Sequence, residues 1–342
     1  MQELVIIIAD VYLPPAAAAA PEPGVELAHL PGIESAGRFG ARAALEDWRA
    51  WLARRLGRPD LAGVAYARVA AAAATADAGA AGDTLWLATP VHLSAGLTRV
   101  HLNQRGLLRL RGEEQSVLAG EFRRTFGGEG LALVPLGSGE FLLRTPGLAA
   151  HPAGEPARSA GSAISAPLPH SAAATPLRRL LAEIEMWLHG LPLNEARRRA
   201  GELPVTALWL WGAVGADLPP VGALAVAFAA FGTDAWLAGL AQLCGRTLAA
   251  PPADFGAVLH TDALIGVVVA EVRGVLERQV SMGVAEALSV VDSGIVLPAL
   301  AALRSGAVAR TTLVLNDRCA TMTRGSRLRL WRRRRAGLAG FA

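Results

Sequence analysis

The sequence predicts a mixed α/β protein that carries a smaller α+β unit. Three observations lead there. Leu4–Ala9 is a short, β-branched apolar run of the kind that forms a buried strand. From residue 177 onward helical and strand patterns alternate, as they do when helices cover a largely parallel sheet. Between these lies a strand–strand–helix–strand–strand order, the mark of a compact α+β insertion. The division expected is 1–80 as the first part of the α/β core, 83–147 as the insertion, 148–176 as a linker and 177–342 as the rest of the core.

Each element has its own signal. Asp10 follows the first strand, the end where α/β sheets place functional groups. The stretch from Pro14 to Pro31 is Pro- and Ala-rich and reads as loop. Residues 40–56 read as a helix, with Ala43, Leu45, Trp48, Leu52 and Leu56 at three- and four-residue steps, stopped by Gly57, Arg58 and Pro59. Leu85–Ala88 and Thr98–Leu102 read as strands, and Glu113–Phe126 as an amphipathic helix. Leu131–Leu136 and Glu140–Arg144 form a hairpin around Gly137-Ser138-Gly139. Residues 146–176 have the Pro, Gly, Ser and Ala content of a linker. Helices are then expected at Pro176–Leu188, Asp234–Leu243 and Ser293–Ser305. Strands are expected at Ala207–Trp211, Val258–Leu259, Ile265–Val269 and Thr312–Leu315. Strand order is not legible.

Composition narrows the class. Of the 342 residues 52% are hydrophobic, but much of that is alanine, in tracts such as Ala16–Ala20, which lacks the bulk of a spanning helix. The longest apolar candidate, Leu218–Phe231, is interrupted by Pro219, Pro220 and Gly222 and falls short of the roughly 20 residues a bilayer requires. No membrane association is expected. Glu3 precedes the first apolar run where an export signal carries basic residues, and two cysteines make no metal spacing, so a cytoplasmic location is expected. Every Lys/Arg position is arginine and the net charge is only +4, so nucleic acid is not a favoured partner. The Arg327–Arg335 run with Trp331 is the densest charge and the one route to an anionic partner.

Leu181–Gly212 is the most specific stretch. It reads as an amphipathic helix ending near His189-Gly190, a turn at Pro192, Asn194 as an N-cap, a short arginine-rich helix closed by Gly201, then Pro204 and a Trp- and Leu-rich strand. Pro192, Asn194, Arg197, Gly201, Pro204 and Trp209-Leu210-Trp211-Gly212 resemble the signature of RpfE-type bacterial regulatory proteins and of cofactor-independent phosphoglycerate mutases. Thr89-Pro90-Val91-His92-Leu93, Glu113-Glu114, Asp234-Ala235-Trp236 and Leu330-Trp331-Arg332-Arg333 are similar to further family stretches. Leu191 stands for a family histidine, Thr206 for an asparagine and Trp211 for the arginine of the mutases.

The resemblance implies an alkaline-phosphatase-like three-layer core. It also implies that members which catalyse clamp a phosphoryl group between two divalent metals, Mn or Zn, and attack it with Ser or Thr. Two cations a few ångströms apart need several carboxylates and imidazoles around them. Asp10, His260, Asp262 and Asp317 are the metal-ligand candidates, although Asp10 is followed by Val11 where the family has glycine, and Asp317 by Arg318 where it has histidine. Asn194, Arg197, Trp211 and Gly212 are the ligand-binding candidates, and the partner expected is a phosphorylated small molecule or a regulatory protein partner. A catalytically degraded regulatory or small-molecule-binding protein is therefore expected, with no cofactor. The alternative is an active metal-dependent mutase or phosphatase with two divalent metals.

Overall fold

The computed structural model of the chain describes residues 1–12, 30–74, 83–96, 99–164, 174–219, 226–251, 255–272 and 283–328. Most of the loop expected from Pro14 and the arginine run beyond Leu328 lie outside them.

In chain order the elements begin with β1 (Glu3–Ile8), α1 (Pro31–Phe39), β2 (Ala41–Ala44), α2 (Trp48–Arg55) and α3 (Tyr66–Ala71). Then come β3 (Asp83–Ala95), β4 (Val100–Leu107), α4 (Gly112–Phe126), β5 (Ala132–Pro135), β6 (Phe141–Pro146) and β7 (Ser162–Ile164). Next are α5 (Thr175–His189), α6 (Pro192–Arg199), β8 (Ala207–Trp211), β9 (Phe228–Phe231), α7 (Ala235–Leu243), β10 (Leu248–Ala249) and α8 (Gly256–Leu259). The last are β11 (Ile265–Val269), α9 (Val284–Val291), α10 (Leu297–Ser305), β12 (Arg310–Leu315) and β13 (Arg318–Thr323). The chain is thus mixed α/β with two sheets. It divides into two compact units: Met1–Ala62 with Val221–Leu237 and Cys244–Ala342, and Gly63–Pro220 with Ala238–Leu243. The 83–147 stretch lies wholly within the second unit, which runs on to Pro220.

The first unit is built on a seven-stranded sheet of order β10-β9-β11-β1-β12-β13-β2. β1 pairs in parallel with β11 on one side and β12 on the other, and all six of its residues are buried, which is why it reads as a continuous apolar run. Leu4, Ile6 and Ile8 face a core with Ile33 of α1, Leu288 of α9 and Leu300 of α10. Between α9 and α10 the helix widens into a π turn at Asp292–Val296. The Asp292 carboxylate, 1% exposed, accepts from the backbone N–H groups of Gly32 (3.0 Å) and Ile33 (2.7 Å), closing the N-terminus of α1. Val284–Ser305 forms 22 helical residues long and apolar enough to cross a membrane by length and composition, a longer run than Leu218–Phe231. Ala287, Leu288, Val291, Val296, Ala299, Leu300 and Leu303 along it pack into the first unit's core.

Two expectations fail locally. Residues 40–56 are not one helix: Ala41–Ala44 pair antiparallel with β13, and the helix starts only after Asp47, whose carboxylate accepts from the N–H groups of Arg49 (3.1 Å) and Ala50 (2.8 Å). Alanines carry no β signal, so their pairing was invisible. Val258–Leu259 belongs to the short helix α8 rather than to a strand.

In the second unit β5-β6-β3-β4-β7 form the sheet path and β8 pairs with β3. β3 is long enough to pair with β6 over Asp83–Ala88, with β8 over Leu87–Val91 and with β4 from Val91 onward, past a bulge between Val91 and Leu93. α4 and α5 cover one face, packing Leu118, Phe122, Ile184 and Leu188 against Trp86, Phe141, Leu143, Leu208 and Leu210. The Trp187 ring meets Phe122 and Phe126 edge-on, both at 5.6 Å.

Candidate functional site

β9, β11, β1 and β12 run parallel, so the residues that follow them gather at one edge of the first unit's sheet. Ligands of open α/β sheets bind outside that edge. Asp10 follows β1, and Asn316 and Asp317 follow β12, the adjacent strand. Both acids are half-buried and already engaged. Asp10 Oδ1 accepts from the Val272 N–H at 3.1 Å, and Asp317 Oδ1 accepts from the Tyr12 hydroxyl at 3.0 Å. Asn316, in the left-handed region with φ 50°, donates its backbone N–H to Ile8 O (2.8 Å) and accepts from the Val11 N–H on its Oδ1 (3.2 Å); its Nδ2 donates to Val11 O. The Asp317 carbonyl accepts from the Leu45 N–H at 2.7 Å. The edge is therefore a latch between the ends of β1 and β12. Tyr12 is the group that sequence reasoning missed, its signal an aromatic hydroxyl two residues after the strand-end acid.

His260 and Asp262 precede β11 instead of following it. The register Glu3↔Ile265 puts them at the opposite edge of the sheet, and the five residues of β11 alone separate the two edges by roughly 13 Å. Both are exposed, and His260 Nδ1 lies 2.7 Å from Gly256 O, closing α8. The four candidates do not converge. Among the described residues no group of three or more His, Cys, Asp or Glu side chains could hold a metal ion. Arg318, which follows Asp317, carries only donors. Among the described residues, these side chains do not fit a two-metal centre.

The other four candidates lie in the second unit. Asn194 is not an N-cap: α6 begins at Pro192, and the Asn194 side chain, 2% exposed, points inward. Its Nδ2 donates to Leu188 O (2.7 Å) and Val205 O (2.8 Å), and its Oδ1 accepts from the Val205 N–H (2.7 Å), tying α5 to the approach of β8. Arg197 is 4% exposed. It donates to Leu203 O (2.8 Å) and Glu114 Oε1 (2.6 Å) and pairs with Glu202 at 3.3 Å. Arg111 completes a four-membered network, 2.7 Å from Glu202 and 3.2 Å from Glu114. The hydrogen bond from Arg111, with the charges of Arg197 and Arg111, holds the Glu202 carboxyl below the ordinary glutamate range against the opposing effect of burial.

Trp211 donates its indole N–H to Thr89 Oγ1 (3.0 Å), and the Thr89 hydroxyl in turn donates to the buried Glu140 (2.6 Å). Gly212 is needed for its φ of +71° and for closeness: a Cβ there would lie 3.1 Å from Tyr66 Cβ, and its carbonyl accepts from the Ala67 N–H (2.9 Å). The turn after β8 thus packs on α3. Each of the four candidates is engaged within its own unit.

No protein-family model matches the chain, and no curated protein matches its sequence. Among solved structures it is similar to the cofactor-independent phosphoglycerate mutase from Thermoplasma acidophilum DSM 1728, at 15% identity and a TM-score of 0.39, over 95% of this chain and 90% of that one. It is also similar to the PH0037 protein from Pyrococcus horikoshii, at 15% identity and a TM-score of 0.49, over 94% of this chain and 87% of that one.

Proposed function

We infer that the chain is a phosphoglycerate-mutase-like protein with an alkaline-phosphatase-like core that has lost the metal-dependent reaction and acts as a regulatory or small-molecule-binding protein. The observation that carries this is the separation of the candidate ligands. Asp10 and Asp317 share one sheet edge and are bonded to Val272 and Tyr12, while His260 and Asp262 lie at the other edge. The motif residues of 181–212 support the same conclusion, since Asn194 and Arg197 hold the segment together. The test is elemental analysis of protein purified without chelator, alongside mutase and phosphatase assays with added Mn or Zn. Less than 0.1 metal ion per chain, as an order-of-magnitude threshold, and no turnover are expected. Two ions per chain with turnover would overturn the inference and establish the metal-dependent enzyme.

A further inference from the structure

At the N-terminal edge of β12, away from Asp10 and Asp317, the first unit holds a cleft of about 460 Å³. That volume lies within the range of small-molecule sites. Its floor is Phe39, Leu300, Leu303 and Met322. Leu300, Leu303 and Met322 also belong to the unit's main core, so the bottom of the cleft is continuous with the dry interior. Its charged rim is Arg304 and Arg324.

The two arginines differ in a useful way. Arg324 is fixed: its NH2 donates to Ser305 O at 2.7 Å, and its guanidinium covers Gly306 so closely that a Cβ there would fall 1.2 Å from NH2. Arg304, in the last turn of α10, makes no side-chain hydrogen bond or ion pair to any other described residue. α10 carries no acid, and the one acid in an adjoining cleft, Glu34, is accompanied there by Arg38. An apolar floor beneath an uncompensated pair of guanidinium groups is complementary to an apolar chain ending in one anionic group.

The geometry points to a binding site for a single-chain anionic amphiphile, its tail on Leu300, Leu303 and Met322 and its head between Arg304 and Arg324. This goes beyond the function proposed above and uses none of its residues, so metal content and turnover have no bearing on it. Calorimetric titration of the full chain with decanoate and with decyl phosphate tests it, with decanol and acetate as controls lacking the charge or the tail. One saturable site per chain is expected for at least one of the two anions, with both controls at least tenfold weaker. Arg304→Glu is expected to weaken the anion at least tenfold while the unfolding midpoint of the free protein stays put, because Arg304 is exposed and unbonded. Arg324→Ala is expected to weaken it by a similar factor. Unsaturable binding of both anions, decanol binding as tightly as decanoate, or an Arg304→Glu variant with unchanged affinity overturns the site. So does a tenfold gain in affinity on removing residues 329–342, which would make the chain's own C-terminal segment the occupant; affinity within twofold supports the amphiphile.

Discussion

The 181–212 segment of the second unit and the strand-end latch of the first both carry the residues expected to bind a ligand, and they use them differently. In the segment, Asn194 and Arg197 are almost fully buried and their polar atoms meet carbonyls and carboxylates of the same unit. At the latch, Asp10, Tyr12 and Asp317 are half-buried; Asp10 accepts from the Val272 N–H and Asp317 from the Tyr12 hydroxyl, joining one loop to the next. A motif can therefore persist because it holds its own segment, with no ligand required to explain it.

Replacing Arg197 by Met breaks this comparison at its strongest point. It leaves Glu114, 8% exposed, with only the exposed Arg111 as counter-ion, and a loss of about 3–5 kcal/mol is expected in urea unfolding. Asn194→Ala removes three buried hydrogen bonds and strands the Val205 N–H and carbonyl, while Leu188 O keeps the Leu191 N–H; about 2–3 kcal/mol is expected by the same measurement. If either variant unfolds at the wild-type midpoint, the segment's polar groups are not structural. Tyr12→Phe at the latch removes the half-buried hydroxyl that donates to Asp317 and is expected to cost about 1 kcal/mol or less. A cost as large as that of Arg197→Met would erase the contrast between the regions.

The smallest effect is a pH dependence. Glu202 has its folded pKa depressed, so its contribution is present above the unfolded value of about 4.3 and is lost as pH falls through the folded value. Comparing unfolding midpoints of wild type and Arg111→Ala between pH 6 and 3 reads it, together with the Arg111 pair to Glu114. The difference is expected to shrink toward the acid end, and to stay below about 1 kcal/mol because Arg111 is exposed. A difference that grows on acidification would show that Arg111 does not act through Glu202.

Much of this was legible in the residues. Leu4–Ala9, Ala207–Trp211 and Ile265–Val269 announced themselves as strands because bulky apolar residues line both faces of each or one face completely. β13, with the mixed sequence Arg318–Thr323, and β2, all alanine and arginine, take their form from pairing with a neighbour, which local pattern does not record. Arg197 was hidden inside Arg197-Arg198-Arg199: an eight-residue helix turns one of three identical side chains inward, and composition cannot say which. For the candidate site, residue type points to strand ends, but direction decides which end. Asp10 and Asp317 follow their strands, whereas His260 and Asp262 come before theirs, and in a parallel sheet that order alone separates them.

The carboxylate of Asp292 on the N–H groups of Gly32 and Ile33 joins positions 260 and 259 residues apart, and β1 likewise has both its partners far downstream. On the ribosome, at about 5–20 residues per second, such a gap amounts to roughly 13–50 s of synthesis. Residues 63–220 emerge in one stretch and hold nearly all of the second unit, so that unit can close while the first is still incomplete. Throughout that interval Leu4–Ile8 is an aggregation-prone strand with no sheet to enter. Vectorial synthesis thus leaves the first unit's opening strand waiting until β11 and β12 have both been made.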